Sequence, residues 1–194
     1  MIASATGAFA SMLYMWFFKT KKPDPSMMIN GMLAGLVAIT APCAFVSVGS
    51  AALIGLIAGV LVIEAAFLIE RKLKIDDPVG AVAVHGVNGA WGMIALGLFA
   101  DGAYGDGWNG VSGTVKGLFY GDSSQFFAQL VGVAVNILYV SAIGWIVFKT
   151  IGLIVGGNRV SAQDELDGLD VPEMGTEGYS GIKLDKNSET PLSR

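Results

Sequence analysis

The sequence predicts an all-α polytopic membrane protein, a bundle with five transmembrane helices, and three observations carry that expectation. Hydrophobic residues make up 53% of the 194 and charged residues 14%, with a mean hydropathy of +0.61. A water-soluble domain of this length needs far fewer apolar groups. The apolar residues gather into five runs, 2–18, 27–46, 51–69, 79–100 and 126–155, each near or above the roughly 20 residues that cross a bilayer core as helix. After Gly157 the character turns polar, with eight acidic and four basic residues, as expected of a solvated extension. The chain is therefore expected to divide into a transmembrane region over 1–155 and a cytoplasmic tail over 156–194.

The first run is the shortest, and at 1.5 Å per residue it reaches only about 25 Å, less than the roughly 30 Å of a hydrocarbon core. Lys19, Lys21 and Lys22 follow it. The second run carries Asn30 near its start and Thr40 near its end. Pro42, without an N–H, would release the Ala38 carbonyl from its helical bond. The third run contains Glu64, within about two turns of Arg71 and Lys72 and so placed to snorkel to the membrane face or to pair there. The fourth is expected to start at Asp77-Pro78, an aspartate cap followed by a proline that loses no hydrogen bond at the first helical position. Residues 41–50 hold no basic side chain and residues 101–124 only Lys116, whereas Arg71, Lys72 and Lys74 follow the third run. Positive-inside bias then puts both basic loops in the cytoplasm, with the amino terminus outside and the carboxyl terminus inside.

Small residues recur at helical spacing: Gly31 with Gly35, Gly55 with Gly59, Gly152 with Gly156, and Gly86, Gly89 and Gly92 three apart. Such spacing lets helix backbones approach closely in lipid. The four tryptophans, Trp16, Trp91, Trp108 and Trp145, suit interface anchoring and packing.

The fourth run holds the chain's single histidine, His85, in the stretch DDPVGAVAVHGVNGAWG (76–92). At 3.6 residues per turn Ala81, His85, Asn88 and Gly92 fall along one stripe. A neutral imidazole there needs partners for one donor and one acceptor, so His85 is either a core side chain satisfied by a neighbouring hydroxyl or carbonyl, or an ionisable group marking a path for substrate or protons. The glycines and alanines around it leave room beside the ring.

Other chemistry has little support. No Walker loop, dinucleotide fingerprint or metal-spaced cluster is present, one histidine allows no catalytic triad, and Cys43 alone allows no intrachain disulfide. No enzyme activity, cofactor or metal is expected. Nor is nucleic-acid binding, given the net charge of −4 and only two short basic clusters.

The stretch 76–92 resembles the tenth-helix signature of the ammonium transporters, the Amt/Mep/Rh superfamily. NGMLAGLVAITAPCAFVSVGSAALIG (30–55) is similar to the family's eighth and ninth helices, and GLDVPEMGTEGY (168–179) resembles its cytoplasmic tail motif. The resemblance runs from Met1 to about Ser180, three motifs in the family's order. It implies a homotrimer of eleven-helix subunits, each with its own narrow hydrophobic pore for ammonium or ammonia, in the plasma or bacterial inner membrane. It also implies that the chain begins inside the family's seventh helix. A carboxyl-terminal portion with five helices of eleven would conduct only with the amino-terminal half in place.

The resemblance gives His85 a role, as one of two mid-pore histidines from opposite halves that together strip a proton from ammonium. Ala81 would line the pore one turn away, and Leu33 and Thr40 would face it from the eighth helix. Imidazole suits such a task because small environmental shifts move its charge change across the physiological range, while a bare ammonium ion is costly to place in a dry lumen. In the tail, Gly168, Leu169, Asp170, Gly175, Glu177 and Tyr179 carry the match and imply packing beneath a neighbouring subunit and docking of a PII-type nitrogen-regulatory protein. Pro172 and Met174 depart from the family pattern. The alternative within the same architecture is an ammonium sensor that signals through this tail.

Overall fold

A computed structural model of the chain describes residues 1–105, 107, 112–176 and 178, and among these the regular structure is helical. Helix α1 (Ile2–Tyr14) continues into a π-helical turn, Met15–Lys19, and α2 spans Pro25–Thr40. Helix α3 (Val48–Phe67) likewise runs on as a π-helical turn, Leu68–Lys72. A π-helical segment, Val82–Val87, leads into α4 (Asn88–Phe99); then come α5 (Ser123–Val155), α6 (Ala162–Asp167) and a last π-helical turn, Asp170–Met174.

All five apolar runs are thus helical. Three, Val48–Lys72, Val82–Phe99 and Ser123–Val155, are long and apolar enough to cross a membrane, while Pro25–Thr40 is a shorter apolar helix. It stops six residues before the predicted end at 46, just short of Pro42, which has no N–H to bond the Ala38 carbonyl. Two starts are written locally. The Asp24 carboxylate accepts from the Ser26 N–H (2.9 Å) and the Met27 N–H (3.1 Å) with Pro25 at the first position of α2, and the Ser47 hydroxyl accepts from the Ser50 N–H (3.2 Å) at α3.

The chain forms two compact units, Met1–Leu138 and Tyr139–Arg194. In the first, α1, α2 and α3 pack on one another through glycine. A Cβ at Gly31 or Gly59 would strike the Gly7 carbonyl, and one at Gly35 or Gly55 the Ala3 carbonyl. Side-chain-free faces therefore let the backbones touch, the usual packing of small residues in lipid. These contacts pair residues 3 and 7 with 35 and 31 but with 55 and 59 in rising order, so α1 runs antiparallel to α2 and parallel to α3. The expected alternation of crossings holds across these three. Helix α4 meets α2 at Gly92, where a Cβ would lie 2.6 Å from the Ala38 carbonyl oxygen, the group that Pro42 was predicted to release. The indole Nε1 of Trp91 donates to the Ile54 carbonyl at 3.2 Å and ties α4 to α3.

Two of the small-residue patterns play other parts. Gly156 has φ +81 and ends α5, while Gly152 lies against Asn158. Gly86 and Gly89 meet only side chains at ordinary contact distance. Glu64 pairs as expected, but across a helix interface: its carboxylate meets Lys19 (2.6 Å) and accepts from the Tyr14 hydroxyl. Because α1 and α3 are parallel, Lys19 arrives beside Glu64, and Arg71 instead lies over the Phe67 ring at 4.3 Å.

Beyond α4 the loop turns back over the α2–α3 connection, with the Asp101 N–H on the Phe45 carbonyl (3.0 Å) and a cluster of Phe45, Leu96, Ala100 and Val115. In the second unit the Asn158 amide donates to the Phe148 carbonyl, and Ser161 caps α6. Trp108 lies outside the described residues.

Candidate functional site

The segment that carries His85 is built from its amino-terminal turn upward. Residues 77–80 form a turn closed by the Gly80 N–H on the Asp77 carbonyl (2.9 Å), and Gly80 takes φ +71, a left-handed conformation that favours glycine. The Asp77 carboxylate reaches forward over that turn to accept from the Val82 N–H (3.0 Å) and, more distantly, the Ala83 N–H (3.4 Å). Asp77 is therefore a cap, as its sequence position suggests, but Pro78 sits in the turn and the helix begins after Gly80. Asn30 of α2 reaches the Val79 carbonyl at 3.4 Å, and a Cβ on Gly80 would crowd the same amide.

The next turn departs from the α-helix that the spacing predicts. Over Val82–Val87 the chain is π-helical, a register of i→i+5 bonds in which one extra residue is accommodated. The predicted single stripe of Ala81, His85, Asn88 and Gly92 is broken as a result: Ala81 and His85 are exposed, while Asn88 and Gly92 are buried. No hydrogen bond involves the His85 side chain among the described residues.

Leu33 and Thr40 stand on the open stripe of α2 with Ile29 and Leu36, opposite the buried Met27, Gly31, Ala34, Gly35 and Ala38. The Thr40 hydroxyl donates to the Leu36 carbonyl at 2.8 Å, which leaves its oxygen free to accept. Helix α2 packs against both the π-helical segment and α4. The four residues expected to line a passage thus all lie on uncovered faces of two neighbouring elements, and no hydrogen bond joins them among the described residues.

A model of the Ammonium Transporter Family matches residues 1–179. The chain belongs to the ammonium transporter family. Ammonium transporter Amt2 of Archaeoglobus fulgidus is 41% identical over 196 residues, covering 99% of this chain and 40% of that protein. The ammonium transporter of Bacillus subtilis is 33% identical over 177 residues, 91% of this chain and 42% of its own length. Among solved structures, one described as Sensor Amt Protein superposes with a TM-score of 0.74 at 34% identity, covering 89% of this chain and 40% of its own. Saccharomyces cerevisiae Mep2 superposes with a TM-score of 0.75 at 28% identity, over 84% of this chain and 36% of its own. The chain spans about two fifths of the length of these relatives, and its fold is the all-α membrane bundle of the Amt and Mep transporters.

Of the tail residues that carry the family motif, Gly168 ends α6 with φ +100 and Leu169 and Asp170 follow it into the π-helical turn, which Gly175 closes with φ +74. The Asp170 carboxylate accepts from the Gly178 N–H at 2.9 Å, drawing the motif into a loop. Glu177 and Tyr179 lie outside the described residues. Just before the motif, Arg159 pairs with Glu165 through two nitrogen–oxygen contacts, and this holds the Glu165 carboxyl below the usual glutamate range.

Periodicity missed the π-helical turn, because nothing in the spacing of apolar residues marks an extra residue in a helix. The one available signal was Asn88, an amide in an otherwise apolar helix, which is fully buried here.

Proposed function

We propose that this family portion forms one wall of a transmembrane conduit for ammonium or ammonia, in which His85 takes up and returns a proton in mid-membrane while Ala81, Leu33 and Thr40 line the passage beside it. The observation that carries the proposal is the exposed imidazole, held on a π-helical turn beside the buried Ala83, Val84 and Asn88, in a chain that matches the transporter family along nearly its whole length. An apolar face around a lone proton acceptor suits a substrate that crosses uncharged, since the ion itself is costly to desolvate. The opposite wall is contributed by the part of the relatives' length that this chain does not span. Residues 1–155 form the membrane region and residues 156–194 a cytoplasmic tail in the plasma or bacterial inner membrane. The assembled protein is a homotrimer whose tail, through Gly168, Leu169, Asp170, Gly175, Glu177 and Tyr179, meets a neighbouring subunit and a PII-type regulator.

The test joins the chain to the portion of the Archaeoglobus fulgidus relative that it does not cover, in cells lacking their own ammonium uptake. Methylammonium uptake is expected from the chimera and is expected to fall by about a hundredfold in His85→Ala, the scale of a lost proton-transfer group. Uptake unchanged by that substitution refutes the role of His85. A second reading, in which the tail signals ammonium binding, is favoured by the likeness to the structure described as Sensor Amt Protein. It predicts that the chimera binds ammonium without flux.

A further inference from the structure

We propose that Asn88 is a positioning residue for His85: its side-chain amide holds the helix in the π-register that turns the imidazole to the open face. The proposal rests on the reading of His85 as a transport residue only for its functional meaning; its geometry stands alone. The Asn88 backbone N–H bonds to the His85 carbonyl, and the side-chain Nδ2 reaches the Ala83 carbonyl at 2.9 Å, five residues back. Five residues is the span of a π-turn bond, and here a side chain makes it. Ala83 and Asn88 are both fully buried, while Ala81 and His85 are exposed.

Each residue turns an α-helix by about 100°, which sets His85 and Asn88 only about 60° apart, and the extra residue in the π-turn widens that angle. The amide's other atom shows why the donor matters. Oδ1 of Asn88 is buried and has no hydrogen-bond partner among the described residues, and an orphaned buried acceptor is costly. A leucine would fill a similar volume without that cost, so packing alone does not account for an amide at this position.

Because His85 is the chain's only histidine, its modification by diethylpyrocarbonate reports on this turn alone. The experiment compares carbethoxylation rates, read by mass spectrometry, in the detergent-solubilised 194-residue chain and in Asn88→Leu and Asn88→Ala, with helicity and unfolding midpoint measured alongside. Loss of the amide lets the turn relax to α-helical register and rotates His85 by about 100° toward the covered side, so modification is expected to slow by about fivefold or more while Asn88→Leu remains as helical and as stable as the parent. A folded Asn88→Leu whose His85 reacts at the parent rate overturns the proposal; if that variant does not fold, the parent rate in folded Asn88→Ala does so. Uptake by the chimera separates the two claims: slowed labelling with undiminished uptake upholds Asn88 as the positioning residue and refutes the transport role of His85.

Discussion

Gly92 is the place where packing and the candidate passage meet, and replacing it with alanine gives a prediction with a worked magnitude. A Cβ there would lie 2.6 Å from the Ala38 carbonyl oxygen and 3.2 Å from the Ala38 carbonyl carbon and Cα. All three are backbone atoms, so no side-chain rotation relieves the crowding. To restore an ordinary contact of 3.4 Å, α4 must retreat from α2 by about 0.8 Å. Overpacking of this kind costs about 1–3 kcal/mol, and the gain in helix propensity over glycine offsets at most about 1 kcal/mol. Gly92→Ala is therefore expected to lose up to about 2 kcal/mol once the full propensity gain is subtracted. Gly89→Ala is the internal control, since its Cβ would meet only Val37 Cγ1 at 3.9 Å. It keeps the propensity gain without the clash and should be neutral or up to about 1 kcal/mol more stable. Unfolding of the two variants in mixed micelles, titrated with a denaturing detergent and followed by circular dichroism, measures the difference. If Gly92→Ala unfolds at the same point as Gly89→Ala, close α2–α4 approach at Ala38 is not what holds the His85 segment in place. The same retreat displaces His85 from the wall that carries Leu33 and Thr40, so uptake by the chimera should fall by about tenfold to a hundredfold, as for other displacements of order 1 Å at a reacting group.

Three further outcomes follow from other contacts. A double-mutant cycle on Lys19→Met and Glu64→Gln should give a coupling below about 1 kcal/mol, because the two side chains keep 26% and 45% of their exposure; a coupling of several kcal/mol would show the pair to be far better shielded. In the tail, Glu165 is held below its ordinary titration range chiefly by its hydrogen bonds from Arg159. The stabilisation from that pair is thus fully present above the ordinary glutamate value and is lost as pH falls through the lowered folded value. Carboxyl-carbon chemical shifts against pH in the parent and in Arg159→Ala check this, with Glu165 expected to titrate higher in the variant. Removing the Asp24 cap of α2 with Asp24→Ala should cost about 1 kcal/mol, read as a lower unfolding midpoint, and Asp24→Ser should recover most of it.

Much of the candidate site was legible because its signals are local. A histidine in an apolar run stands out against composition, and Asp77 marks the capping residue, though not the turn through Pro78 and Gly80 that comes before the helix. The likeness of 76–92 and of 30–55 to the family's helices then singled out His85 and Ala81, and Leu33 and Thr40, all of which stand on open faces in the structure. What did not show was the side of the helix each residue takes, since a π-turn changes register by one residue without changing the hydrophobic pattern. The partner of Glu64 was likewise hidden. Arg71 and Lys72 are near it in sequence, but Lys19 reaches it across a helix interface.

The sequence by itself determined that this chain is a membrane bundle with its helices where the apolar runs lie, because the cost of unpaired backbone groups in lipid leaves an apolar run little choice but helix. The tertiary structure alone decided which glycines become contact points, which cation meets Glu64, and that His85 turns outward while Asn88 turns in. Those outcomes depend on distances between segments far apart in the chain, to which hydropathy, a property of each run taken singly, is blind.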